Sequence, residues 1–225
     1  MLEFILGKAG TGKTRACIDD IAARLKENPL GAPLVLLLPE HITYKIEREL
    51  AFCTGEQGGF LRAYVFGFRR FARQVLSETG GLALPRITEV GKRLMLKKIL
   101  SEREKELKFF GRAAKARGFG NSLSAAIDEI KNYAITPAAL TEAAEKTAQP
   151  DLKAKLSDLS LLAADFAAAM EGRLTDGADM LNTLAERLPT AKFMRGAEVW
   201  IDGFIFFNPQ ERRILTALMK FVPYT

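Results

Sequence analysis

Histidine and cysteine are almost missing from this chain. One His (His41) and two Cys (Cys17, Cys53) occur in 225 residues. Three such side chains cannot build a structural zinc site by themselves, and free buried thiols in a reducing compartment are the expectation. Long apolar runs are missing as well. Stretches such as Leu34 to Leu38 and Val199 to Ile201 fall far short of the ~20 residues a membrane span needs. No basic, hydrophobic leader stands before residue 7, so no secretion signal is expected and a cytoplasmic location is. What remains is a globular composition, 48% hydrophobic and 27% charged, which excludes disordered and fibrous classes.

Against that background one stretch carries recognisable chemistry. Gly7-Lys8-Ala9-Gly10-Thr11-Gly12-Lys13-Thr14 fits the phosphate-binding pattern Gly-x4-Gly-Lys-[Ser/Thr]. Leu2 to Leu6 before it reads as a short buried strand, and Thr14 to Leu25 after it as a helix. Glycines at 7, 10 and 12 let the backbone take positive φ and bring N–H groups around an anion, where a side chain would obstruct the approach. The helix beginning near Lys13 aims its positive end at the same anion. In this motif Lys13 reaches the β and γ phosphates and the Thr14 hydroxyl takes a Mg2+ position, so ATP with Mg2+ is the expected cofactor pair.

The net charge is +6 and the pI near 9.3, which makes a polyanionic partner plausible. Between Lys92 and Arg117 ten Lys or Arg stand against three Glu, so this stretch exceeds the net charge of the whole chain. It is either a solvated helix face or a surface for a phosphate backbone, with Lys97 and Lys98 as candidate contacts.

Taken in order, Leu34 to Leu38 reads as a second buried strand stopped by Pro39. Glu40 to Leu50 reads as a polar loop entering a helix, with Tyr44, Ile46 and Leu50 turned inward and His41 in a loop hydrogen bond. After Gly58-Gly59, Phe60 to Phe66 is a third strand. The helix that follows has Phe68, Phe71 and Val75 as core, leaving Arg69, Arg70 and Arg73 off that face as candidates for a nucleic-acid backbone. From about Ile87 to Leu188 only helices are expected. Ser122 is a candidate cap for a helix carrying Leu123, Ala126, Ile127, Ile130 and Ala134. Thr136-Pro137 starts another helix, and Leu152, Leu156, Leu159, Ala163, Phe166, Ala167 and Met170 form a third apolar stripe. Ala197 to Asp202 is then a fourth strand ending in a carboxylate, and Asn208 to Glu211 opens the last helix.

The expected fold is therefore α/β, an incomplete parallel P-loop NTPase core with an all-helical inserted subdomain. The core's first part is 1–84, the insertion 85–190 and the second part 191–225. Asp202, at the end of a buried strand, is where such a protein places its second magnesium anchor, so Thr14 and Asp202 form the expected metal pair. A P-loop motor usually follows that acid with a glutamate that orients water. Here Gly203 follows, and glycine can neither accept a proton nor hold a water. Glu211 is the one weak catalytic candidate.

Four blocks in order resemble one family: the glycine loop, Leu-Pro-Glu-His-Ile-Thr-Tyr at 38–44, Val-Phe-Gly-Phe-Arg-Arg-Phe-Ala at 65–72, and Ile-Asp-Gly-Phe with Asn-Pro-Gln-Glu at 201–211. The helical stretch Ile127 to Tyr133 with Thr136-Pro137 is similar too. The family is that of the B subunits of the AddAB (RexAB) ATP-dependent helicase/deoxyribonuclease. The resemblance implies a degenerate RecA-like, superfamily 1 helicase core in a complex that resects double-strand breaks for recombination. It also implies DNA ends and the A subunit as partners. Chi recognition, and a nuclease domain with an iron–sulfur cluster beyond Thr225, belong to the same implication; Cys17 and Cys53 do not match the cluster cysteines. With the loop at residue 7, no glutamine-bearing adenine-recognition segment is expected before it, and selectivity for adenine over guanine is not expected from one. Two other readings stand beside this one: a P-loop small-molecule kinase with a helical lid, and a structural nucleotide-binding domain that docks a partner protein.

Overall fold

The computed structural model describes residues 2–54, 59–116 and 118–221. Gly58 and Arg117 lie outside the described residues, as does the side chain of Lys115. The chain divides into two compact units, Met1–Leu82 with Met180–Thr225, and Ala83–Asp179.

The first unit is built around a strand that water never reaches. Leu34–Leu37 (β1) is buried at every residue, and Leu38 beyond it is buried too. It pairs in parallel with Ala63–Phe66 (β2) on one side and Glu198–Ile201 (β3) on the other, giving the order β2-β1-β3. A parallel strand flanked on both sides must have both faces covered, and an unbroken run of Leu and Val suits that position. Alternation sorts the run by face. Leu34, Leu36 and Leu38 pack with Ile18, Ile21 and Leu25 of the helix Lys13–Glu27 (α1) and with Ile46 and Leu50 of Thr43–Cys53 (α2). Val35 and Leu37 pack with Phe71, Val75 and Leu76 of Phe68–Thr79 (α3) in a second cluster. Tyr44, expected inward, is 74% exposed, because α2 turns Ile46 and Leu50 to the sheet and leaves Tyr44 off that face.

Registration decides where the functional ends fall. Leu37 lies opposite both Phe66 and Ile201, so the C-terminal ends of all three strands reach the same rim. The loops after Leu38, Phe66 and Ile201 therefore share one edge of the sheet, the edge where ligands bind in open α/β folds.

Three strands are present among the described residues, not four. Residues 2–6 are not a strand, and Phe4 and Leu6 are 74% and 89% exposed. An apolar run becomes a buried strand only when it has a partner to pair with, and β3 does not pair with this one. The third strand also begins at Ala63 rather than Phe60.

The second unit contains, among its described residues, helices and one isolated β-bridge. Its core joins Leu96, Ile99 and Leu100 of Glu89–Glu102 (α4), Leu123 and Ile127 of Phe119–Asn132 (α5), Leu140 of Pro137–Lys146 (α6), and Leu162, Phe166 and Met170 of Pro150–Met170 (α7). The cap at Thr136 forms as expected: its hydroxyl accepts from the Ala139 N–H at 3.1 Å, with Pro137 opening α6. Ser122 is not a cap, because α5 starts earlier, behind a left-handed Gly118. Ala134 lies past the end of α5 at φ 53. On α7, Leu152 and Ala167 face solvent, and Leu162, absent from the expected stripe, is fully buried.

Lys92, one of the ten basic residues between 92 and 117, is not on the surface at all. It is 2% exposed and ion-paired to Asp128, with Asp176 within 3.9 Å. Lys131 donates to Asp176 at 2.7 Å and pairs with Asp179 at 2.7 Å. Asp176 also accepts the N–H groups of Ala178 and Asp179, so it caps Gly177–Arg187 (α8). Burial alone would raise the Asp176 carboxyl, but the Lys131 hydrogen bond and charge, the Asp179 N–H and the Lys92 charge outweigh it and hold its pKa below the usual carboxylate value. The folded value lies below the unfolded one. Its stabilisation is complete above the unfolded value of about 3.9 and is lost as pH falls through the folded value. The thermal midpoint should thus drop on acidification below about pH 4, and Asp176→Asn should show a lower midpoint at neutral pH with a flatter acid limb. An acid limb unchanged by Asp176→Asn would contradict this role.

Candidate functional site

The glycine loop enters α1 through two left-handed residues. Gly10 has φ +81 and Gly12 has φ +88, and Gly12 is the N-cap of α1. L side chains rarely adopt such φ, so these two positions need glycine. Gly7 is needed for another reason than expected. It is not among the positive-φ glycines, but a Cβ there would lie 2.5 Å from Thr11 Oγ1. The loop is thus drawn close on itself. The Thr11 hydroxyl donates to the Lys8 carbonyl at 2.9 Å, and the Lys13 ammonium donates to the carbonyls of Gly7 and Lys8, each at 2.8 Å. Lys8, Ala9 and Thr11 are exposed along its outside.

α1 then carries Thr14 to the tip of β3. The Thr14 hydroxyl donates to Asp202 Oδ2, joining residues far apart in the chain. Asp202 is fixed from its other side, since its N–H donates to the Leu37 carbonyl at 3.1 Å and extends the β1–β3 ladder. A threonine hydroxyl and a carboxylate oxygen in contact are hard donors of the kind Mg2+ takes, and both are half-buried. The donor set at this point fits such a cation.

Farther along α1, a polar clasp holds the helix to the outer strand. Arg24 pairs with Glu198 and with Asp20, and lies 5.5 Å over the Trp200 ring, while Trp200 Nε1 donates to Asp20 at 3.1 Å. Cys17 is buried between these groups and the core; burial pushes its thiol pKa up, and the charges of Asp202 and Asp20 add to the rise. Both effects favour the neutral thiol over the thiolate.

Gly203, directly after the acid, has φ +79, and a Cβ there would lie 3.1 Å from Ile42 and 3.2 Å from Pro39. The rim is completed by Glu40. Its carboxylate lies against Gly67 and accepts the Arg69 N–H at 3.0 Å, tying the loop after β1 to the start of α3. Sequence pattern gave no sign of this tie, because Glu40 belongs to no periodic face. His41 beside it is exposed.

Glu211 is occupied locally. Its carboxylate accepts the Asn208 N–H at 2.9 Å, and its own N–H donates to Asn208 Oδ1 at 2.9 Å, a reciprocal capping box at the start of Pro209–Phe221 (α9). Arg69, Arg70 and Arg73 are exposed on α3, with Arg70 3.4 Å from Glu47 and 5.7 Å over the Phe66 ring. Lys97 and Lys98 are exposed on α4 in the other unit, with Lys98 3.7 Å from Glu102. The loop, Thr14 and Asp202 are thus brought together, and Glu211 serves its own helix. Among the described residues no cluster of three or more His, Cys, Asp or Glu could hold a metal, and no helix is long and apolar enough to cross a membrane.

A parallel α/β unit with a glycine loop opening a helix beside an acid-tipped strand, joined to a unit of helices, defines the class. The chain belongs to the family described as ADDB, N-terminal, whose model matches residues 4–223. It is 48% identical over 223 residues to the B subunit of the ATP-dependent helicase/deoxyribonuclease of Desulforudis audaxviator, a match covering 97% of this chain and 19% of that protein. Proteins of the same name from Heliobacterium modesticaldum and Geobacillus kaustophilus are 46% and 40% identical, covering 97% of this chain and 18% and 19% of theirs. The chain therefore spans about a fifth of the length of these relatives.

Gly203 offers a direct check on the rim. Gly203→Ala should lower the unfolding free energy by about 1–2 kcal/mol, the cost of a left-handed non-glycine residue, read from urea denaturation. An unchanged midpoint would show that the backbone there relaxes freely.

Proposed function

We propose that this chain is the nucleotide-binding, helicase-like first part of the B subunit of an ATP-dependent helicase/deoxyribonuclease, and that it binds ATP with Mg2+ while hydrolysing it poorly. The observation that carries the reading is the Thr14–Asp202 contact beside the left-handed glycine loop. Lys13 with the loop N–H groups would hold the phosphates, and Thr14 and Asp202 would hold the cation. Bound there, Mg2+ would offset the negative charge of the phosphates. The chain's own residues do the rest: the α1 N-terminus faces the anion, the β1–β3 ladder fixes Asp202, and Gly203 leaves no carboxylate beside it to orient water.

Weak hydrolysis is supported from two sides. A glutamate in place of Gly203 would need a strained backbone and would press on Pro39 and Ile42. Glu211, the remaining acid of the segment, is committed to capping α9. The subunit's work in the longer protein is then DNA handling in double-strand break resection and recombinational repair. It would act beside an A subunit that supplies the motor, with the nuclease and iron–sulfur functions in the chain beyond. Arg69, Arg70 and Arg73 remain the proposed DNA contacts of the first unit, and Lys97 and Lys98 those of the second. We read the second unit as an insertion into the α/β core. A helical lid that closes over phosphates would need the cations of the basic stretch Lys92 to Arg117 free, and the kinase reading loses support because two of them, Lys92 and Arg103, pair with Asp128 and Asp165.

Fluorescent ATP titration tests the proposal. Lys13→Ala should weaken binding at least tenfold while the far-UV spectrum is unchanged, and turnover should stay low with single-stranded DNA present. Brisk DNA-stimulated hydrolysis by the chain would overturn the reading.

A further inference from the structure

The turn that follows α4 is fastened from the inside and charged on the outside. Asp158 of α7, 3% exposed, accepts the N–H groups of Lys108, Phe109 and Phe110 at 3.1, 2.8 and 2.9 Å. A carboxylate that takes three backbone donors fixes the path of that backbone. Leu107 before them is buried in the helical core, and Phe110 packs on Phe119 with ring centroids 5.2 Å apart. Gly111 closes the turn, since a Cβ there would lie 3.0 Å from the Leu107 carbonyl oxygen. Arg103 ties down the start of the turn through Asp165 at 2.7 Å and Glu106 at 2.9 Å. What this fastening leaves outside is one aromatic ring among cations. Lys105, Lys108 and Arg112 are exposed, and among the described residues none of the three has a carboxylate partner. Phe109 is 43% exposed and stands edge-on against Phe110, centroids 5.0 Å apart, so its ring is braced. Folding gains little from holding like charges and a phenyl ring in water, so their placement calls for a ligand.

We propose that this turn is a contact for single-stranded DNA, in which Lys105, Lys108 and Arg112 meet phosphates and Phe109 stacks on an unpaired base. Three arguments select this ligand. Cations beside an exposed ring are the pairing that binds single strands without regard to sequence, the charges tracking the backbone and the ring taking a base face. In a duplex those faces are covered by the stack, so duplex DNA would use the cations and leave Phe109 idle. An acidic protein partner would need apolar surface continuous with the ring, but Leu107 and Phe110 on either side are spent on the helical core. Because Asp158 already orders the turn, binding does not have to pay for ordering it. The site is separate from Lys97 and Lys98, which lie on α4, where Lys98 has Glu102 3.7 Å away. That the nucleic acid is DNA rests on the helicase/deoxyribonuclease reading; the match of ring and cations to an unpaired strand does not.

The test uses the full-length subunit and a labelled oligothymidylate of about 20 nucleotides, long enough to span a single-strand site. With p-benzoylphenylalanine in place of Phe109, irradiation should cross-link the subunit to the oligothymidylate. Unlabelled oligothymidylate should compete, and duplex of the same length should compete far less. Replacing the three cations together (Lys105→Gln, Lys108→Gln, Arg112→Gln) should weaken binding at least tenfold. It should also lower the salt slope by about 2, at ~0.7 for each single-strand phosphate contact. Phe109→Ser should weaken binding about fivefold and leave the slope unchanged, because stacking releases no counterions. A cross-link to another protein chain, or one competed better by duplex, would overturn the proposal. So would an unchanged affinity and slope in the triple variant. ATP affinity is measured on the same preparations. If ATP and oligothymidylate both bind but the turn variants alter neither affinity nor slope, the turn is excluded and the nucleotide-binding, DNA-handling reading stands. If oligothymidylate does not bind the unaltered subunit at all, both the turn contact and the DNA-handling reading fall.

Discussion

Everything in the first unit depends on keeping β1 dry on both faces. Leu34, Leu36 and Leu38 hold α1 and α2 on one side, and Val35 and Leu37 hold α3 on the other. Removing one such leucine side chain typically costs about 2–5 kcal/mol. Because the three strands are parallel and in register, this burial also fixes one rim. There α1 can present Thr14 to Asp202, and Glu40 can clamp the start of α3. The site is a consequence of the sheet; no loop has to find it independently.

The second unit solves a different problem, that of placing charge inside helices. Lys92 and Lys131 both lie 5.8 Å from the Phe166 ring and share Asp176. Asp158, 3% exposed, accepts the N–H groups of Lys108, Phe109 and Phe110 and holds that turn against α7. Breaking one partner of such buried groups is costly, whereas the surface pairs Lys98–Glu102 and Lys146–Glu142 contribute little. Part of the basic stretch is therefore neutralised within the unit: Lys92 and Arg103 have their carboxylate partners there.

How much of this was legible in the sequence follows from where the determinants sit. β1, α1, α3 and the Thr136 cap were readable, because each is set by neighbours in sequence: an apolar run closed by Pro39, a glycine before a helix, a hydroxyl before a proline. The meeting of Thr14 and Asp202 was readable because the glycine-loop pattern demands an acid at a strand end. Leu2 to Leu6 misled because a strand is defined by its partner, which local pattern does not contain. Ser122 misled because α5 begins at a left-handed glycine upstream. The burial of Lys92 was hidden because its partners come from α5 and the α8 cap. The family, by contrast, was legible from four blocks in order, and the match over residues 4–223 bears it out.

The central claim is that Thr14 and Asp202 together hold the cation of a bound nucleotide. Its most direct test is the Mg2+ dependence of ATP affinity in the unaltered chain and in Asp202→Asn. The account predicts that Mg2+ strengthens binding to the unaltered chain, and that the variant keeps metal-free binding but loses most of the Mg2+ enhancement. An enhancement of equal size in both proteins would contradict it.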